Sequence, residues 1–152
     1  MAITITPEQP DSAEAVALIQ ELDVHLTPLY PTESRHGFSV EKLLAESVAF
    51  FVLRSDQIPA GCGGVKLVGT DYGEIKRMYV RPQFRGLGFG RLILDHLVAY
   101  SRDQGVSRLR LETGIHQTEA IALYERLGFA RIGPFGPYRP DPLSLFYEKG
   151  LG

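Results

Sequence analysis

Arg85-Gly86-Leu87-Gly88-Phe89-Gly90 places three glycines at alternate positions, directly ahead of an apolar run that begins Leu92-Ile93-Leu94. Glycine is a poor way to open a helix, since each one costs roughly 1 kcal/mol against alanine in a helix interior. Upstream, Gly73 to Val80 reads as a strand and Arg81-Pro82-Gln83-Phe84 as a loop, so the glycines stand where a strand hands over to a helix. That arrangement suits an anion. The N–H groups of a first helical turn have no intrahelical acceptor, the helix dipole favours negative charge there, and missing side chains let phosphate oxygens reach the main chain. Arg85 and Arg91 flank the turn and supply charge-assisted contacts. The competing reading is that the glycines only let the helix pack closely on the strand. Two nucleotide fingerprints fail. In G-x-G-x-x-G the third glycine would fall on Arg91, and neither Gly88 nor Gly90 precedes the lysine that a P-loop needs. The expected anion is therefore a pyrophosphate on some other carrier.

The flanking sequence supplies the other elements. Ala2–Thr6 alternates β-branched and small residues as an edge strand does. Asp11 or Ser12 caps a helix running through Ala15, Leu18, Ile19 and Leu22. Thr27–Phe38 is rich in turn formers and reads as a loop, followed by a short helix over Ser39–Glu46. Strands are expected over Val48–Arg54, Gly61–Val68 and Gly73–Val80, with Pro59 as punctuation. A helix over Leu87–Asp103 ends at Gly105, a strand covers Arg108–Thr113, and a helix over Thr118–Leu127 ends at Gly128. Ala130–Ile132 and Leu143–Glu148 complete the strands, the latter as an exposed edge through which a homodimer would form. The order β-α-α-β-β-β-α-β-α-β-β predicts an α+β, three-layer architecture: a mixed sheet with helices on its faces.

Composition narrows the function classes. At 152 residues, 44% apolar and 22% charged, the chain reads as one soluble domain over residues 1–152. Sixteen basic against eighteen acidic side chains argue against a general nucleic-acid binder. One cysteine, Cys62, allows no internal disulfide and no zinc cluster, and no stretch resembles a signal peptide or membrane span. The expectation is a cytoplasmic protein without a metal.

The Gly73–Val80 strand contradicts itself. Glu74, Lys76, Met78 and Val80 should share one face, yet two are charged and two apolar, while Ile75, Arg77 and Tyr79 alternate no better. A bulge near Arg77-Met78 resolves the conflict.

Arg85-x-x-Gly88-x-Gly90 resembles the Q/R-x-x-G-x-G/A signature of the GCN5-related N-acetyltransferase (GNAT) superfamily, which binds acetyl-CoA. Its surroundings are similar too: Glu74–Val80 looks like the family's fourth strand, and Ala120–Phe129 like its A-x-x-L-Y-x-x-x-G-F segment. The resemblance implies a mostly antiparallel sheet splayed between its fourth and fifth strands, with Met78, Tyr79 and Val80 holding the pantetheine arm. It places Arg85, Gly86, Leu87, Gly88, Phe89, Gly90 and Arg91 on the diphosphate. Gln117 stands where the family carries an asparagine contacting the coenzyme near Ala120. It further implies that Glu74 is the general base, against a plain ion pair with Lys76 or Arg77, and that Tyr124 is the acid for the departing thiolate. Ile121, Leu123 and Leu127 are expected to do the apolar packing of that helix, leaving Tyr124 for chemistry. His116 reads as a solvated cap neighbour and Cys62 as buried packing. Acceptor recognition is expected from Tyr30, Arg35, Phe135 and Tyr138, with Arg35 or Arg139 holding a carboxylate. The implied activity is acetylation of a primary amine on a small, amino-acid-like molecule. The alternatives are a peptide amine or a non-catalytic CoA-binding module.

Overall fold

The computed structural model describes all 152 residues. Its strands are β1 (Ile3–Pro7), β2 (Ala49–Ser55), β3 (Ile58–Val68), β4 (Tyr72–Val80), β5 (Arg108–Gly114), β6 (Ala130–Ile132) and β7 (Ser144–Gly150). They form one sheet in the order β1-β2-β3-β4-β5-β7-β6, antiparallel everywhere except between β4 and β5. The helices are α1 (Ala13–Leu26), α2 (Val40–Ala45), α3 (Phe89–Asp103) and α4 (Thr118–Arg126). Ser12 and Ser39 cap α1 and α2 by accepting from the N–H groups of Ala15 and Lys42.

Two apolar layers clasp the sheet, giving the expected three-layer arrangement. On one face Leu18, Ile19 and Leu22 of α1 and Leu43 of α2 pack on Phe50, Val52 and Cys62. On the other, Ile93, Leu94 and Leu97 of α3 pack on Val65, Leu109 and Leu111. Consecutive residues of β2 feed both layers, which is why this strand reads as an unbroken apolar run. Burial pushes the Cys62 thiol up to about 12, which leaves it an inert packing group.

Three sequence expectations need correction. The Gly-rich stretch is not yet helix at Leu87: α3 begins at Phe89, because Gly86 and Gly88 take φ of +80° and +82°, which no helical residue adopts. Pro59 lies inside β3 rather than before it, opposite Arg54 where the β2–β3 register shifts, and a missing N–H is tolerated at such an irregularity. The Leu143–Glu148 segment is not an edge. β7 lies between β5 and β6, so the sheet's edges are β1 and the short β6, and the suggested dimer contact loses its basis.

The contradiction in β4 resolves as a bulge. Cys62 pairs with Tyr79 and Gly64 with Lys76, so Arg77 and Met78 together oppose Gly63, and Arg77 takes φ of +56°. Before it Lys76 lies against Phe38 and Ile75 joins the α3 layer; after it Met78 and Val80 join the α3 layer and Tyr79 the α1 layer. The β4–β5 ladder holds only Gly73 to Leu109 and Glu74 to Arg110. Beyond Glu74 the two parallel strands splay, and the edge of β4 that faces the split has no strand partner.

Candidate active site

The splay is the neck between two cavities. One, about 780 Å³, lies at the N-terminus of α3; the other, about 510 Å³, lies on the α1 side of the sheet. Leu22, Met78, Gln117 and Tyr124 line both.

The first cavity gathers almost every residue expected to hold the coenzyme. Met78, Tyr79 and Val80 of β4, Arg85, Gly86 and Gly88 of the connecting loop, Phe89, Gly90 and Arg91 of α3, and Gln117 and Ala120 at α4 all line it. Leu87 does not; its side chain is exposed. Gly88 is the N-cap of α3 and offers no side-chain acceptor, so the first-turn N–H groups lack a cap. At Gly90 the reason is space, since a Cβ would come within 2.8 Å of Leu123 Cδ2 on α4. Arg85 Nε donates to the Val80 carbonyl at 3.0 Å and its Nη1 lies 3.9 Å from Glu119, which ties the loop to the end of β4. Arg91 is exposed beside Asp95. The Gln117 amide oxygen is used within its own turn, accepting from the Gly114 N–H at 3.0 Å. An uncapped helix start, open backbone at two left-handed glycines and arginines at the rim make a fitting cradle for a diphosphate.

The second cavity is roofed. Ser34 Oγ, in the loop between α1 and α2, donates to Asp141 Oδ2 at 2.7 Å in the loop between β6 and β7. His36 meets Tyr138 edge-on with ring centroids 5.3 Å apart. Below this roof, Glu74 is buried with Lys76 Nζ at 2.9 Å, and the Tyr138 hydroxyl also donates to it. Lys76 further donates to the Tyr138 oxygen at 2.8 Å and faces the His36 carbonyl at 3.5 Å. The expected base is thus a member of a closed triad.

Another carboxyl, which the sequence reading did not select, lines the same cavity from β5. Glu112 accepts from Ser144 Oγ at 2.8 Å and has no ion-pair partner. Burial pushes its carboxyl up to about 7, against the lowering effect of the Ser144 hydrogen bond and the Lys76 charge. A signal for it existed: Arg108, Arg110 and Glu112 alternate with Leu109 and Leu111, an unusual polar face for an interior strand.

Tyr124 corrects another expectation. It is the buried side chain of α4, whereas Ile121, Leu123 and Leu127 are only partly buried. Its ring packs on Phe129 and Tyr147, while its hydroxyl makes no protein hydrogen bond and is not sealed from solvent. Burial, reinforced by the Glu112 charge, raises its pKa and keeps the phenol protonated.

The acceptor residues divide. Tyr138, Tyr30 and Arg35 line the second cavity. The Tyr30 hydroxyl accepts from the His116 N–H at 3.0 Å, which pins the α1–α2 loop to the turn before α4. Arg35 donates to Thr32 Oγ1 at 2.7 Å and lies 3.4 Å from Thr27 Oγ1. Phe135 does not line the cavity; it packs behind the wall with Tyr72 and Phe146, an aromatic cluster that buries it. Arg139 is exposed and does not line it either. No group of three or more His, Cys, Asp or Glu side chains converges, and no helix is long and apolar enough to cross a membrane.

Comparison with known proteins adds to this geometry. The sequence signature of the Acetyltransferase (GNAT) family matches residues 16–129. An IAA acetyltransferase of Azospirillum brasilense is 46% identical over 150 residues, covering 98% of each chain. The crystal structure of a candidate acyl-CoA N-acyltransferase from Klebsiella pneumoniae superposes with a TM-score of 0.84 at 40% identity, covering 99% of this chain and 98% of that one. The PaiA N-acetyltransferase of Thermoplasma acidophilum, solved in complex with coenzyme A, shares the fold with a TM-score of 0.79 at 20% identity over 99% of both chains.

Proposed function

The chain belongs to the GNAT family of acetyltransferases, and from that premise we propose that it moves the acetyl group directly onto a primary amine of a small, amino-acid-like molecule. Acetyl-CoA is the donor. The observation that carries the reading is the meeting of two cavities at Tyr124, one with an anion cradle and one roofed by the Ser34–Asp141 contact. A cavity bridged by two joined loops favours a small acceptor over a peptide lying along an unobstructed groove.

Bound in the first cavity, the donor supplies an acetyl thioester whose sulfur departs as a thiol. The first-turn N–H groups of α3, with Arg85 and Arg91, grip its diphosphate. The unpartnered edge of β4 from Met78 to Val80 offers main-chain groups to the arm. An alkyl amine has a pKa of about 10 and arrives protonated. Glu112, pushed by burial up to about 7 and without an ion-pair partner, takes that proton. Glu74 is the weaker candidate because Lys76 and Tyr138 already hold its carboxylate. The protonated phenol of Tyr124, where the cavities join, gives a proton to the departing sulfur.

The test is a thiol-release screen with acetyl-CoA against amino acids, polyamines, aminoglycosides and peptides, beside calorimetry with coenzyme A, NAD and ATP. The reading expects binding of coenzyme A alone among the three and turnover of a small amine. Coenzyme A binding with no amine acetylated would instead favour a non-catalytic module, and turnover confined to peptides would overturn the acceptor class.

A further inference from the structure

We propose that Arg77 is the seat for an anionic group on the acceptor, so that the preferred substrates are amines that also carry a carboxylate or a phosphonate. The inference rests on the reading of the second cavity as the acceptor site and deepens it. Arg77 is only 7% exposed, yet its guanidinium is under-used. Nη2 donates to Asp23 Oδ1 at 2.6 Å, Nε is sealed away with no partner at all, and Nη1 has none among protein atoms. A guanidinium offers five N–H donors in a planar fork that matches an oxyanion, and native structures seldom leave buried donors unsatisfied. Space has been kept for this group: a Cβ on Gly37, in the wall of the same cavity, would stand 2.5 Å from Arg77 Nη1.

The other charges in the cavity sharpen the assignment. Lys76 is consumed by Glu74, Tyr138 and the His36 carbonyl. Arg35 bonds only to threonine hydroxyls and has no carboxylate partner. Arg77 has one carboxylate partner, Asp23, itself more than half exposed and so a weakly held one, while Arg35 in the same cavity has none. An anion on the ligand cancels that surplus. Across the split, Glu112 is the one carboxyl without a cation, and it awaits an ammonium. Glu112 on β5 and Arg77 on β4 line the same cavity from opposite sides of the split. One cavity holding both a cation seat and an unpaired carboxyl suits an amine that also carries an anion.

The experiment compares matched acceptors on the wild-type enzyme with acetyl-CoA: amino acids and aminophosphonates, each beside its neutral amide or ester and its amine lacking the anion. The expected result is a kcat/KM at least a hundredfold higher for one anionic class than for its neutral partners, with most of the difference in KM. Which class wins distinguishes carboxylate from phosphonate. Arg77→Gln, verified as folded by circular dichroism, should bring that ratio down towards one, with Arg77→Lys retaining part of it and Arg35→Gln lowering it much less. Should Arg77→Gln not fold, the matched pairs on the wild type and on Arg77→Lys still decide: an undiminished preference in the lysine variant overturns the fork-specific role of Arg77. Equal turnover of anionic and neutral amines by the wild type overturns the role of Arg77 while leaving the proposed activity standing. A panel in which no amine of either kind releases thiol defeats the proposed activity and this inference with it.

Discussion

Glu112 carries opposite consequences for activity and for stability. As a base it must be ionised, so kcat/KM should rise with pH through about 7, the value to which burial pushes it. Glu112→Gln keeps the acceptor for Ser144 Oγ but cannot take a proton, and turnover should fall on the order of a hundredfold or more. For stability the sign reverses. The folded value lies above the ordinary 4.5, so the fold favours the protonated form; that contribution is complete below 4.5 and lost as pH rises through 7. The glutamine variant is therefore expected to be more stable at pH 8, by about 3 kcal/mol, and to lose that advantage near pH 4. Melting curves at the two pH values check it. Tyr124→Phe makes the complementary case. The ring packing is kept and no protein hydrogen bond is broken, so turnover should drop at least tenfold with little change in melting temperature. An unchanged rate removes the phenol from the mechanism. At this scale the sequence was only partly legible. Tyr124 stood out through its motif, but choosing between Glu74 and Glu112 needs their neighbours. The partners that distinguish them, Tyr138 and Ser144, lie 64 and 32 residues away along the chain.

Elements were most legible where they break local rules, because a broken rule implies a compensating function. The alternating glycines oppose helix formation, and the structure uses two of them for left-handed backbone ahead of α3. Gly88→Ala forces a Cβ into φ of +82° although the space around it is open, so its cost is conformational, about 1–2 kcal/mol. The expected outcome is a roughly tenfold rise in KM for acetyl-CoA with kcat for the bound complex much less affected. Calorimetry with coenzyme A checks it, and unaltered affinity would separate the glycine turn from the diphosphate. The clash of charged and apolar residues along β4 likewise announced the bulge at Arg77-Met78, and with it the splay. β7 was misread for the opposite reason. Its Leu-Phe-Tyr-Glu-Lys pattern obeys every strand rule, and nothing in a well-behaved strand says whether one neighbour or two will pair with it.

At the scale of the molecule, the order of elements was enough to read three layers, since alternating periodicities leave few ways to bury both faces of one sheet. What bridges the second cavity was not legible. Ser34 and Asp141 stand 107 residues apart in two turn-rich loops, and neither residue type implies a distant partner. Their contact nevertheless joins the two halves of the sheet across the mouth of the split. With His36 against Tyr138, and Tyr138 bonded in turn to Glu74 and Lys76, the roof is continuous with the cavity floor. Removing the contact should therefore act on the acceptor alone. Ser34→Ala deletes the hydroxyl donor and leaves Asp141 its bond from the Leu143 N–H, so the fold should hold, at a cost of about 1 kcal/mol. The first cavity lies beyond the neck, and Ser34 does not line it, so affinity for acetyl-CoA should be unchanged. The acceptor KM should rise several-fold, and bulkier amines that the wild type rejects should begin to turn over as the loops part. Steady-state kinetics with each substrate varied in turn measures both effects. If KM for acetyl-CoA moves as much as KM for the amine, the loops form no separate roof and the division of the site into two chambers is wrong.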